Sequence, residues 1–245
     1  MVHALLALSS APLLLFFLIV FPFPAALCVY QARSLSVQSC VAAAVAILLA
    51  SCGLLLVSHA PFTFRLSSVF GIDPHAVVNG ADFLLLCVLL YLGFRHHHPV
   101  IKALSAAQII LLAALEFFIR HGTHPADTFY GDDLALMLIL VAATATALSV
   151  IRLSFIPSLK PLEDHPDLSP ASRNRFFALM LICLGAFNGM LLANDMSFFY
   201  FFFELITLCS FLLIAQKGTP AAERKAVQAL SLTSLAGLVF LLAMT

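Results

Sequence analysis

Charge is what this sequence has least of. Its 12 Lys and Arg and 12 Asp and Glu make up only 10% of 245 residues, where a soluble domain carries about a quarter. The two signs cancel to a net charge of zero, which leaves no basic field to attract nucleic acid. The cysteines are also sparse in pattern. Cys28, Cys40, Cys52, Cys87, Cys183 and Cys209 all lie in apolar runs without CxxC spacing, and read as small buried hydrophobes, not as disulfides or metal ligands. No Lys or Arg precedes the first apolar run, and Pro12, Pro22 and Pro24 interrupt it, so it reads as a first membrane span and not as a signal peptide. Cofactor motifs, iron–sulfur cysteine clusters and a nucleophile–base constellation are missing too. The expectation is therefore no catalytic site, no metal site and no cofactor on this chain.

Apolar residues fill the space that charge leaves, at 62% of the chain. Eight segments of spanning length follow one another, at roughly 11–31, 36–57, 77–94, 100–119, 132–151, 175–194, 196–215 and 224–245. Prolines at 61, 74, 99, 125, 157, 161, 166, 170 and 220 fall between them or at their edges. The expected fold is all-α, a polytopic transmembrane bundle of about eight spans in the inner (cytoplasmic) membrane. Alternate loops divide the basic residues unequally. Arg33, Arg95, Lys102, Arg152, Lys160, Arg173, Arg175, Lys217, Arg224 and Lys225 share one side, leaving Arg65 and Arg120 on the other. The positive-inside rule puts the larger set in the cytoplasm and the N-terminus outside.

Most polar residues sit in the loops. The histidines of FRHHHPVIK are consecutive and cannot all face one ion, so they read as a solvated turn; His59, His75, His121, His124 and His165 lie in other loops without HxxxH spacing. Loop 58–76 reads as an outer interfacial segment. Loop 152–175, polar and proline-rich, reads as a linker or a contact for a peripheral partner. Within the spans, Gly185 and Gly189 have GxxxG spacing beside Asn188, a packing signal. Gln228, Ser231 and Ser234 form a stripe on the last segment, with Thr233 and Gly237 at small-xxx-small spacing.

The acids inside spans carry more information. Residues 196–215, MSFFYFFFELITLCSFLLIA, hold one charge near their middle, Glu204. A bare carboxylate there costs about 2.5–3.5 kcal/mol on insertion scales, so it must face protein or trapped water. Ser197, Tyr200, Glu204 and Thr207 follow at spacings of three and four and share a helix face, with phenylalanines 198, 199, 202 and 203 mostly elsewhere. That pattern fits a proton relay of Glu204, Tyr200 and Thr207, or a protonated acid acting as interhelical glue. Asp82 and Glu116 lie towards the outer ends of their helices, with Asn79 and mid-span Gln108 nearby in sequence. They are candidate secondary acids that share a proton, or interfacial groups with no such task.

From Gly131 to Ala243 the sequence resembles the antiporter-like proton-translocating subunits of respiratory complex I, Mrp cation/proton antiporters and group 4 energy-converting hydrogenases. The runs that carry the resemblance are GDDLALMLILVAATATAL, RFFALMLICLGAFNGMLLANDMSFFYFFFELITLCSFLLI and KAVQALSLTSLAGLVFLL. AFNGM and NDMSFFYFFFELITLCSFLLI are most similar to the large membrane subunit of Ech- and CO-induced-type hydrogenases. Residues 77–120 resemble that branch more loosely. The resemblance implies an N-terminal set of helices at 1–130 and, at 131–245, the start of a proton-translocation module. It implies that Glu204 is the acid of a glutamate–lysine pair, with other membrane and peripheral subunits of a redox complex as partners and protons, or sodium in an antiporter, as cargo. The partner lysine of that family would lie beyond residue 245, so the chain is expected to match only the N-terminal portion of such a subunit. The competing expectations are a non-conducting scaffold or truncated paralogue, and an Mrp-type antiporter subunit.

Overall fold

The computed structural model describes residues 14–32, 34–58, 60–66, 74–118, 128–155 and 170–244. Arg33, His59, Arg120, His121, His124, Lys160 and His165, residues 67–73 of the loop 58–76 and most of the loop 152–175 lie outside the described residues. The described helices are α1 (Leu14–Val20), α2 (Pro22–Gln31), α3 (Leu35–Val57), α4 (Pro74–Arg95), α5 (Pro99–Phe118), α6 (Asp133–Phe155), α7 (Pro170–Leu192), α8 (Met196–Ala215) and α9 (Pro220–Ala243). Strands β1 (Phe62–Phe64) and β2 (Phe129–Gly131) form a two-stranded ladder. Among the described residues seven helices are long and apolar enough to cross a membrane, and the pair α1 and α2, bent by 42°, passes the same test together. The chain is a polytopic helical membrane protein.

Two compact units are present, each assembled from separate stretches: Met1–Phe62 with Tyr130–Leu192, and Thr63–Phe129 with Ala193–Thr245. Each draws helices from before and after residue 130, so the module boundary expected at 130/131 passes through both.

In the first unit α3 packs on α6, and α2 on α7 and α3. The bend between α1 and α2 has a local cause. Pro22 has no N–H to give to the carbonyl of Leu18 four residues earlier, so the ladder breaks there. Asn188 of α7 supplies the missing donor, its Nδ2 lying 3.1 Å from Leu18 O. Gly185, one turn away on α7, lets the helices close: a Cβ there would meet Pro22 Cβ at 3.0 Å and Ile19 O at 3.3 Å. The C-terminal carbonyls of α2 are met in the same way. Asn174 Nδ2 donates to Tyr30 O at 3.0 Å and Gln38 Nε2 to Ala32 O at 2.7 Å. The GxxxG face is thus the seat of a proline bend.

In the second unit α4 packs on α5 and α8, and α9 on α5 and α8. Short turns join the hairpins. Residues 96–98 link α4 to α5, with His97 left-handed at φ 51°, and Gly218 at φ 67° turns α8 into α9. Asp195 caps α8 by accepting from Ser197 N at 2.8 Å, and Thr219 caps α9 by accepting from Ala222 N at 3.2 Å. Leu86, Leu89, Ile101, Leu112, Phe211 and Leu230 form the apolar core of this unit.

Candidate functional site

Glu204 lies near the middle of α8 and is wholly buried (0% exposed). Tyr200 and Thr207 are buried on the same face, as the spacing predicts, while Ser197 at the helix start is only half-buried. Phe198 and Phe202 are buried as well, on a different face, because α8 is covered on more than one side.

The partner of Glu204 comes from α5. Gln108 Nε2 donates to Glu204 Oε1 at 2.8 Å and lies 3.3 Å from the Tyr200 hydroxyl. The third wall is backbone. A Cβ on Gly237 of α9 would stand 2.5 Å from both Gln108 Nε2 and Glu204 Oε1, closer than real Cβ contacts allow. The amide–carboxyl pair therefore occupies the space that any side chain at 237 would take. The fourth helix, α4, brings Asp82, which is buried (1% exposed) and within electrostatic reach of Glu204. Four helices thus converge on one carboxyl-containing cluster inside a single unit.

Several polar atoms of this cluster have no hydrogen-bond partner within the protein: both Asp82 carboxyl oxygens, Glu204 Oε2, Gln108 Oε1, and the hydroxyls of Ser105 and Ser234. More than nine in ten buried polar groups in proteins are partnered, and the exceptions mark functional sites or hydrated ones. Chemically, the arrangement can hold a proton on either of two acids and hydrogen-bond water between them.

Glu116 links two helices of this unit. It accepts from Asn79 Nδ2 at 2.7 Å, joining α4 to α5, and Asp82 lies within electrostatic range of Glu204. The triple-histidine turn is also more ordered than a solvated turn. His96 is half-buried, with Nδ1 2.7 Å from Glu223 Oε1 and its ring edge-on to Phe211 at 5.7 Å between centroids. Among the described residues no three His, Cys, Asp or Glu side chains are grouped to hold a metal. Sequence reasoning named Gln108 only as mid-span and Gly237 only as a packing residue, and passed over Ser105. A signal was present: Ser105 and Gln108 stand three apart, on one face of a mostly apolar helix.

Fold and site together define a multi-pass helical membrane protein with a buried carboxyl cluster. Residues 193–245, which are α8, α9 and their lead-in, match the family model described as NADH:quinone oxidoreductase/Mrp antiporter, TM. The matched stretch includes Glu204, Thr207, Ser234 and Gly237. No solved structure matches the chain.

Proposed function

We propose that the chain is a membrane subunit of a redox-driven proton-translocating complex, of the energy-converting hydrogenase or NADH:quinone oxidoreductase type, in which Glu204 is the intramembrane proton-exchanging acid. The observation that carries this reading is Glu204 itself: a carboxyl buried mid-span, held by a neutral amide, inside the segment that the family model matches. A carboxyl in that position is costly unless it is paired or protonated. Gln108 stabilises either state, because its amide N–H can face a carboxylate or the carbonyl oxygen of the acid. Tyr200 and Thr207 flank the acid on its own helix, and Asp82 supplies a second proton-holding group across α4. Glu116, which accepts from Asn79, is a further acid of the same unit.

The partners in this reading are other membrane and peripheral subunits, with the Arg95, Lys102 and Arg224 ends of the helices in the cytoplasm and the complex in the inner membrane. Redox chemistry belongs to those partners. The test is proton uptake by inverted vesicles carrying the assembled complex. Glu204→Gln keeps the shape and the amide contact but holds no exchangeable acid proton, and uptake is expected to stop with assembly intact. Unchanged uptake would remove the relay and leave a scaffold. The family description also covers Mrp antiporters, so sodium-dependent proton movement without a redox donor would assign the chain to that branch.

A further inference from the structure

Away from the Glu204 cluster, a cavity of about 460 Å³ opens at the end of the second unit where the α4–α5 turn meets the start of α9. Its lining includes His96, His98, Glu223, Arg224, Val227 and Gln228. The carboxylate in this set is already engaged, because His96 Nδ1 lies 2.7 Å from Glu223 Oε1. What is left over is mostly hydrogen-bond donor. Arg224 Nε donates to Pro220 O in its own first turn at 3.3 Å, a bond that leaves most of the guanidinium N–H groups for another acceptor. His98 Nδ1 is buried and has no hydrogen-bond partner among the described residues.

The surroundings add positive charge and then apolar surface. Arg95, Lys217 and Lys225 are exposed at this end of the unit, on the last turn of α4, the α8–α9 turn and the first turns of α9. From Gln228 the same face of α9 continues into the span as Leu232, Leu235 and Val239, at spacings of four, three and four, and all three are exposed. An apolar face on a spanning helix is ordinary, since lipid tails can cover it. A donor-rich cavity at the head of that face is not ordinary. A ligand that fits both parts carries anionic oxygens at one end and hydrocarbon at the other. A free phosphate or a peptide carboxylate would meet the cavity alone.

We propose that the cavity seats the phosphate of an anionic phospholipid, with Arg224 and His98 donating to its oxygens and an acyl chain lying along Leu232, Leu235 and Val239. Arg224 gives the charge-assisted bonds that suit a phosphate. His98 donates from the nitrogen that is otherwise buried without a partner, so binding satisfies a group that is costly to leave unmet. His96 keeps the Glu223 carboxylate from facing the phosphate unpaired, and its ring is steadied edge-on to Phe211 at 5.7 Å between centroids. Basic pockets at the ends of membrane helices hold anionic headgroups by the same forces. The site is independent of the relay reading, since none of its groups contacts Glu204. A lipid bound there would bridge the α4–α5 hairpin to the α8–α9 hairpin, the two elements that the His96–Glu223 pair also joins.

Lipid selectivity beside α9 tests this. The chain contains no tryptophan, so Leu232→Trp supplies a single indole on the exposed stripe. The full chain carrying it is placed in nanodiscs of phosphatidylcholine with about one phosphatidylglycerol in five, and bromine is carried mid-chain on one lipid or the other. Fluorescence quenching is expected to give phosphatidylglycerol about a fivefold higher relative affinity for the indole's surroundings, what one basic side chain contributes at a membrane surface. Adding Arg224→Gln should abolish that preference. Adding Lys225→Gln, at an exposed residue outside the cavity lining, should leave it nearly intact. Equal quenching by the two lipids, molecule for molecule, overturns the site. An equal loss with Lys225→Gln also overturns it, because the preference would then be surface charge alone. Loss of the preference to inorganic phosphate at constant ionic strength assigns the cavity to a free anion and overturns the lipid assignment. Weak quenching by both lipids would mean that protein covers the stripe, and it overturns the assignment too.

Discussion

In the first unit the buried amides mend backbone. Asn188 takes the carbonyl that Pro22 leaves free, and Gln38 and Asn174 take the carbonyls at the end of α2. In the second unit the buried polar groups include the acids Asp82 and Glu204 with an amide and hydroxyls around them, and much of their hydrogen-bonding capacity is not spent on the protein. Among the described residues the buried carboxyls Asp82, Asp195 and Glu204 all belong to this second unit, and Asp195 has a structural task as the cap of α8. Both units are helical and comparably apolar, so burial of polar groups as such does not mark function. The useful distinction is whether a buried group is consumed by a nearby backbone defect. Where it is, structure accounts for it; where it is not, chemistry is the better account.

The comparison can be broken at its largest point by paired substitutions. Glu204→Gln is expected to lower proton uptake by about 10²-fold or more, the scale of a lost acid–base group. Asn188→Leu should leave uptake unchanged, while destabilising the first unit by about 1–2 kcal/mol because Leu18 O loses its donor in an apolar setting. Thermal melting in detergent beside vesicle uptake reads both. An uptake defect in Asn188→Leu of the same size as in Glu204→Gln would erase the distinction between the units.

The glycines give a smaller contrast. Gly237→Ala drives a methyl onto Gln108 Nε2 and Glu204 Oε1, and overpacking of this kind costs about 1–3 kcal/mol. It should also reduce uptake, since the pair it displaces is the proposed relay. Gly185→Ala meets Pro22 at 3.0 Å and should cost stability alone. Equal uptake in the two variants would show that the Gln108–Glu204 contact is dispensable. Smallest of all is Asp195→Ala, which removes the cap of α8 and should cost about 1 kcal/mol in melting with uptake nearly unchanged.

Much of the fold was legible because its signals are local. Hydropathy over about 20 residues sets a span, and the segments predicted at 36–57, 77–94 and 196–215 reappear as α3, α4 and α8. The first segment shows the limit. Its prolines were visible, but Pro22 became a 42° bend only because α7 offers a glycine to receive it and an asparagine to satisfy it. The burial of Tyr200, Glu204 and Thr207 on one face of α8 was equally readable, since helical period is a property of the segment itself.

The identity of the acid's neighbours was not readable in this way. Asp82 and Glu116 looked matched in depth, and the structure adds that Glu116 accepts from Asn79 and that Asp82 lies within electrostatic range of Glu204. Gln108 meets Glu204 from a helix distant in sequence, Gly237 meets it from the next helix, and His96, in a turn that looked solvated, pairs with Glu223 of α9. The sequence by itself determined that this chain spans a membrane repeatedly and that Glu204 must be sheltered there, because the cost of exposing a helix or a carboxyl to lipid depends on that residue and its near neighbours. Only the tertiary structure decided which groups do the sheltering. Those answers depend on the rotation and closeness of packed helices, which no single segment encodes.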